Sequence, residues 1–199
     1  PLAEELARTG HFPTDPTGSI FDLPRGYPPL AYLAQGSLWV LSGVREHVTP
    51  RLIAMFFHAG FVLLLAVEVG GACGLAAAWL IAAAPAHVEF AHAIGTDLPL
   101  AYLCLAWALR ARAYLAHGRR GDLLLAGLAL MLALWTKYQA LTFWAAGLAG
   151  VLAVRSRPLA LVHLAALAGF VPFLARNALH LGNPVFPAFA DQLGGEEPL

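Results

Sequence analysis

The stretch LLLAGLALMLALWTKYQALTFWAAGLAGVLAV, residues 123–154, is apolar throughout except at its centre, where it carries a single charge, Lys137. Lys137 is the only lysine in the chain, and the other eleven basic residues are arginines. As one helix the 32 residues would measure about 48 Å at 1.5 Å per residue, well beyond a hydrocarbon core about 30 Å thick. Arg119 and Arg120 precede the stretch and Arg155 and Arg157 follow it. The positive-inside rule places both pairs in the cytoplasm, and two ends on one side require an even number of crossings. The stretch therefore reads as a hairpin of two short spans, turning at Thr136, Lys137, Tyr138 and Gln139, although that turn contains no Gly or Pro.

The rest of the chain has the same character. Of its 199 residues, 59% are hydrophobic and 12% charged, about half the charge of a soluble domain, and the mean hydropathy is +0.68. Runs free of acidic and basic charge extend over 52–67, 69–88, 98–109, 123–136, 138–154 and 158–175. The expected fold is an all-α, polytopic membrane helical bundle with about six spans and short interfacial helices before it. Zero net charge gives no reason to expect a nucleic acid partner. Cys73 and Cys104 lie in apolar runs without metal or redox spacing and read as core residues.

Alternating the sides of successive spans assigns every loop. Arg110, Arg112, Arg119 and Arg120 close one span in the cytoplasm, Gly70 and Gly71 form another inner turn, and HAIGTDLP, with Asp97, lies outside. The span over 158–175 emerges outside at RNALHLGNPVFPAF. Asp97, Lys137 and Arg176 thereby fall on one membrane face. The segment 27–43 is short for a span and carries Tyr27, Tyr32 and Trp39, which suit an interfacial helix. Residues 1–50 thus form part of a first outer (periplasmic) loop, 51–176 the bundle, and 177–199 the start of a further outer loop.

Several residues on that outer face could carry chemistry. Asp97, between Gly95 and Pro99, reads as a helix N-cap, as an acidic ligand at a cavity mouth, or as both. His87, Glu89 and His92 stand within about ten residues of it and, with Asp97, offer donors for a divalent metal, chiefly His92 and Asp97. They lack HExxH-like spacing and cysteine ligands, which favours reading them as polar groups wetted by an outer cavity. His58, alone in an apolar helix, reads as an interhelical hydrogen bonder. A lysine exposed to lipid at mid-membrane would cost at least about 2.5 kcal/mol, so Lys137 should face water or a partner. It reads as an interfacial anchor or, beside Tyr138, as a phosphate contact. Arg176 has the same two readings, with a guanidinium fork suited to phosphate.

Taken in order, PLAEELARTGHF, YPPLAYL, AHAIGTDLPLAYLCLAWALRAR, LAGLALMLALWTKYQALTF and FLARNALHLGNPVFPAF resemble the bacterial relatives of protein O-mannosyltransferases and lipid A aminoarabinose transferases. These are integral-membrane glycosyltransferases of the GT-C type. The resemblance implies a multi-pass protein of the bacterial inner (plasma) membrane whose active site faces the periplasm or exterior. It implies transfer of a sugar from a polyprenyl-phosphate donor to a lipid, glycan or protein hydroxyl, with inversion and general-base help. Asp97 matches the family's second-loop acid, which in some relatives helps bind metal. Lys137, Tyr138, Arg176 and Asn177 match contacts to the carrier phosphate. The family's main catalytic Asp stands just before a segment like PLAE, so the resemblance places it upstream of Pro1 and marks the sequence as a fragment. Asp15 and Asp22 read as turn caps. The alternative class is a transporter or flippase using the same charged residues.

Overall fold

The structure, a computed structural model, describes residues 28, 30–42, 48–84 and 96–185. Among these the secondary structure is entirely helical, in seven helices: α1 (Leu30–Ser42), α2 (Val48–Val69), α3 (Gly71–Ala83), α4 (Asp97–His117), α5 (Arg120–Thr136), α6 (Gln139–Ala153) and α7 (Arg157–Leu181). The all-α expectation holds. Two of them are long and apolar enough to cross a membrane, over Arg51–Val69 and Arg157–Leu181, against the six expected spans. The shortfall has two causes. α3, α5 and α6, with 13, 17 and 15 residues, reach only about 20 to 26 Å at 1.5 Å per residue. α4 has the length, but Asp97, Arg110 and Arg112 interrupt its apolar run.

The segment 123–154 does break in two. α5 stops because Lys137 takes an extended backbone (φ −161°, ψ 145°), and Tyr138, at φ −59° and ψ −28°, starts α6. Neither residue needs a positive φ, which explains how the turn dispenses with Gly and Pro. The α2–α3 turn does need them, since Gly70 and Gly71 both stand at positive φ. α4 ends on a left-handed Gly118, whose N–H donates to the Tyr114 carbonyl at 2.8 Å. α7 continues to Leu181, past the expected boundary at 176, and Pro172 stays within it.

α5 is the hub, packing most closely on α4 and α7 and touching α1 and α6. Its buried face, Ala126, Ala129, Leu130, Ala133, Leu134 and Thr136, is rich in small residues, which lets neighbouring backbones come close. A Cβ on Gly127 would meet Val162 of α7 at 2.7 Å. Around Leu130, Leu134, Tyr138, Phe170 and Phe173 lies the main core, and Ala111, Ala126, Val151 and Leu159 form a second one towards the other end. Large apolar side chains cover much of the outside, including Phe56, Leu63 and Val67 of α2, Trp79 of α3, Leu124 of α5 and Leu161 of α7. Cys73, expected in the core, is exposed on α3 because that helix buries only Gly74 and Ala78.

Candidate functional site

The start of α4, the α5–α6 turn and the last turns of α7 meet at one end of the bundle, and the polar residues there form two neighbouring hydrogen-bonded sets. Lys137 Nζ donates to Asp97 Oδ1 at 2.6 Å across 40 residues of sequence. Tyr138, the next residue, is buried, and its hydroxyl accepts from Asn177 Nδ2 at 2.6 Å. Asn177 Oδ1 in turn accepts from Arg176 Nη1 at 3.0 Å. Arg176 also lies over the Phe173 ring, 6.0 Å from its centre.

Local backbone physics supports each placement. Asp97 lies in the first turn of α4, where the helix dipole favours an anion, and Lys137 caps the C-terminus of α5, where it favours a cation. The two charges are therefore favoured before they pair. Thr96, not Asp97, occupies the N-cap position, so the capping expectation is corrected by one residue: the Asp97 carboxylate is turned to Lys137 instead. The Lys137 side chain is 18% exposed and that of Asp97 53%, so the ammonium is the more enclosed partner while the carboxylate opens to the outside. An ammonium has three protons to donate, and Asp97 takes one of them through Oδ1.

Asn177 is completely buried, and so is Asn183 just beyond α7, whose Oδ1 accepts the Val185 N–H at 2.9 Å and shapes the turn. Pro28, ahead of α1, is also fully buried, and Leu30 packs on the Tyr138 core. Thr136 returns its hydroxyl to the Leu132 carbonyl at 2.7 Å, satisfying itself within α5.

The sequence brought Asp97, Lys137 and Arg176 to one face, and they share one end of the described bundle. What it missed is the link itself, the Tyr138–Asn177 hydrogen bond, since neither side chain announces a partner 39 positions away. His92, with His87 and Glu89, lies in 85–95, outside the described residues. Among the described residues no three His, Cys, Asp or Glu side chains gather as a metal site would need. Of the segment 27–43, residues 30–42 form α1.

A second polar cluster lies at the opposite end. Arg110 is paired with Glu68 at the end of α2 and donates to Asp122 at the start of α5, at 3.0 Å. One guanidinium thus ties three helices together. Between the ends, His163 is fully buried, with Nδ1 against the Leu159 carbonyl at 2.9 Å and its ring edge-on to Trp107 at 5.2 Å. Nε2 of His163 and Nε1 of Trp107 are buried without hydrogen-bond partners.

No protein-family model, curated protein or solved structure matches the chain.

Proposed function

We propose that the chain is part of a multi-pass inner-membrane glycosyltransferase of the GT-C type that moves a sugar from a polyprenyl-phosphate donor to a hydroxyl acceptor on the outer face. In this reading the short helices α3, α5 and α6 enter the bilayer beside α2, α4 and α7, giving about six spans. The observation that carries it is the gathering at one end of the bundle of the Lys137–Asp97 pair and of Arg176, which reaches Tyr138, the residue after Lys137, through Asn177. Two cations at one end of a helix bundle suit a phosphate at headgroup depth.

The reaction is an inverting displacement. The acceptor oxygen attacks the anomeric carbon, a carboxylate takes its proton, and the bond to the carrier phosphate breaks with its electrons on phosphate. General-base help is commonly worth 10²- to 10⁴-fold, and Lys137 and Arg176 stabilise the charge growing on the departing phosphate. Asp97 serves as a secondary acid and holds Lys137 in place. The donor itself is the chemical partner, with the bilayer as solvent. A transporter or flippase would place its charges near the midplane, whereas Asp97 and Lys137 stand at helix ends.

The test is Lys137→Met in the full-length chain in membranes. A charged hydrogen bond is worth about 1.5–3 kcal/mol, so KM for the polyprenyl-phosphate sugar should rise roughly 10- to 100-fold. Unchanged donor kinetics in a folded variant would refute the assignment.

A further inference from the structure

At the Arg110 end of the bundle, arginine stands where the local backbone asks for something else. Arg119 is the N-cap of α5, a position that favours Ser, Asn or Asp, and it makes no capping hydrogen bond. Arg120 and Arg157 begin α5 and α7, where the helix dipole repels cations. Arg155 is the sole described non-glycine residue at positive φ (54°), in the left-handed position that closes α6, where Gly is the usual occupant. The Ser156 N–H donates to the Val151 carbonyl and that of Arg155 to Leu152, completing this closure.

These choices act together because the two turns are neighbours. Gly127 of α5 abuts Val162 of α7, and Ala126, Val151 and Leu159 share one core, so the starts of α5 and α7 lie side by side. All four arginines are exposed, as is Arg112 of α4. The two carboxylates at this end, Glu68 and Asp122, are both held by Arg110, and among the described residues none of the other five arginines has an ion-pair partner. Exposed Leu115, Leu124, Leu152, Val154 and Leu161 adjoin the same turns. A rim of unpaired guanidiniums bordering an apolar belt is complementary to one environment: phosphate headgroups above acyl chains.

We propose that the α4–α5 and α6–α7 turns form a binding surface for anionic phospholipid headgroups, read by Arg112, Arg119, Arg120, Arg155 and Arg157. The inference rests on the reading of the bundle as a bilayer protein but not on glycosyl transfer.

The test exploits the mismatch between residue and backbone. Arg119→Ser supplies a better N-cap and Arg155→Gly a better helix end, so the double variant should fold at least as well as the parent, checked by thermal unfolding. The full-length protein and the variant would be transferred to nanodiscs of mixed phosphatidylglycerol and phosphatidylcholine, and the lipids retained would be counted by native mass spectrometry. The parent should retain phosphatidylglycerol in excess, and each arginine removed should lower that enrichment roughly fivefold. Equal retention of the two lipids by the parent, or unchanged enrichment in the folded variant, would overturn the headgroup surface alone. A parent that enters no bilayer would overturn it together with the membrane reading.

Discussion

Gly147 of α6 offers a close test of how the bundle is packed. A Cβ added there would stand 2.8 and 3.0 Å from two ring atoms of Trp107 and 3.1 Å from His163 Nε2. Trp107 cannot swing aside freely, because it is wedged edge-on between Phe143 at 5.0 Å and His163 at 5.2 Å. His163 is fixed by its own bond to Leu159, and Trp144 Nε1 ties α6 to the His163 carbonyl at 2.8 Å. Gly→Ala in a helix interior gains up to about 1 kcal/mol from propensity, whereas overpacking a tight core costs about 1–3 kcal/mol. For Gly147→Ala the second effect wins, leaving a net loss of about 1 kcal/mol. Gly150, three residues along the same helix, has nothing within 4 Å of its virtual Cβ, so Gly150→Ala should keep the gain. At about 2–4 °C per kcal/mol for a chain of this size, the two variants should differ in Tm by roughly 4–8 °C, with opposite signs against the parent. Thermal unfolding of the full-length protein in detergent or nanodiscs measures this. A Gly147→Ala protein as stable as Gly150→Ala would refute the close approach of α4, α6 and α7 at this point.

Other outcomes follow from the two polar ends. Arg110→Gln leaves Glu68 and Asp122 without their shared cation. The loss should be about 2 kcal/mol, below the 3–5 kcal/mol of a fully buried pair because all three groups keep some exposure, and chemical unfolding would show a smaller loss if the tie is idle. Tyr138→Phe deletes the 2.6 Å bond from Asn177 and should cost about 1 kcal/mol, and under the proposed function it should also loosen Arg176 and raise the donor KM. Cysteines placed at Lys137 and at Arg119 should be labelled by an impermeant reagent from opposite sides of the membrane, and labelling from one side would overturn the hairpin.

How far the sequence reached depends on the kind of information each feature needs. The break at Lys137 was legible because length and flanking charge are properties of the chain alone, and the structure puts the extended residue at that position. The glycine pair at the α2–α3 turn was legible because positive φ selects glycine. Span number was less so: a charge-free run sets the greatest length a helix can have, but caps and turns decide where it stops, and α3, α5 and α6 stop short.

The sequence by itself determined that this chain is helical, that its apolar surface exceeds what its own core can bury, and that Asp97, Lys137 and Arg176 belong to one end. Only the tertiary structure decided which side chains meet. Asp97 finds Lys137, Tyr138 finds Asn177, and Arg110 finds both Glu68 and Asp122. Periodicity and charge order place a residue along a helix axis. Which of several neighbouring helices faces it depends on the small residues of α5 and Gly127, whose close packing sets the lateral arrangement of the bundle.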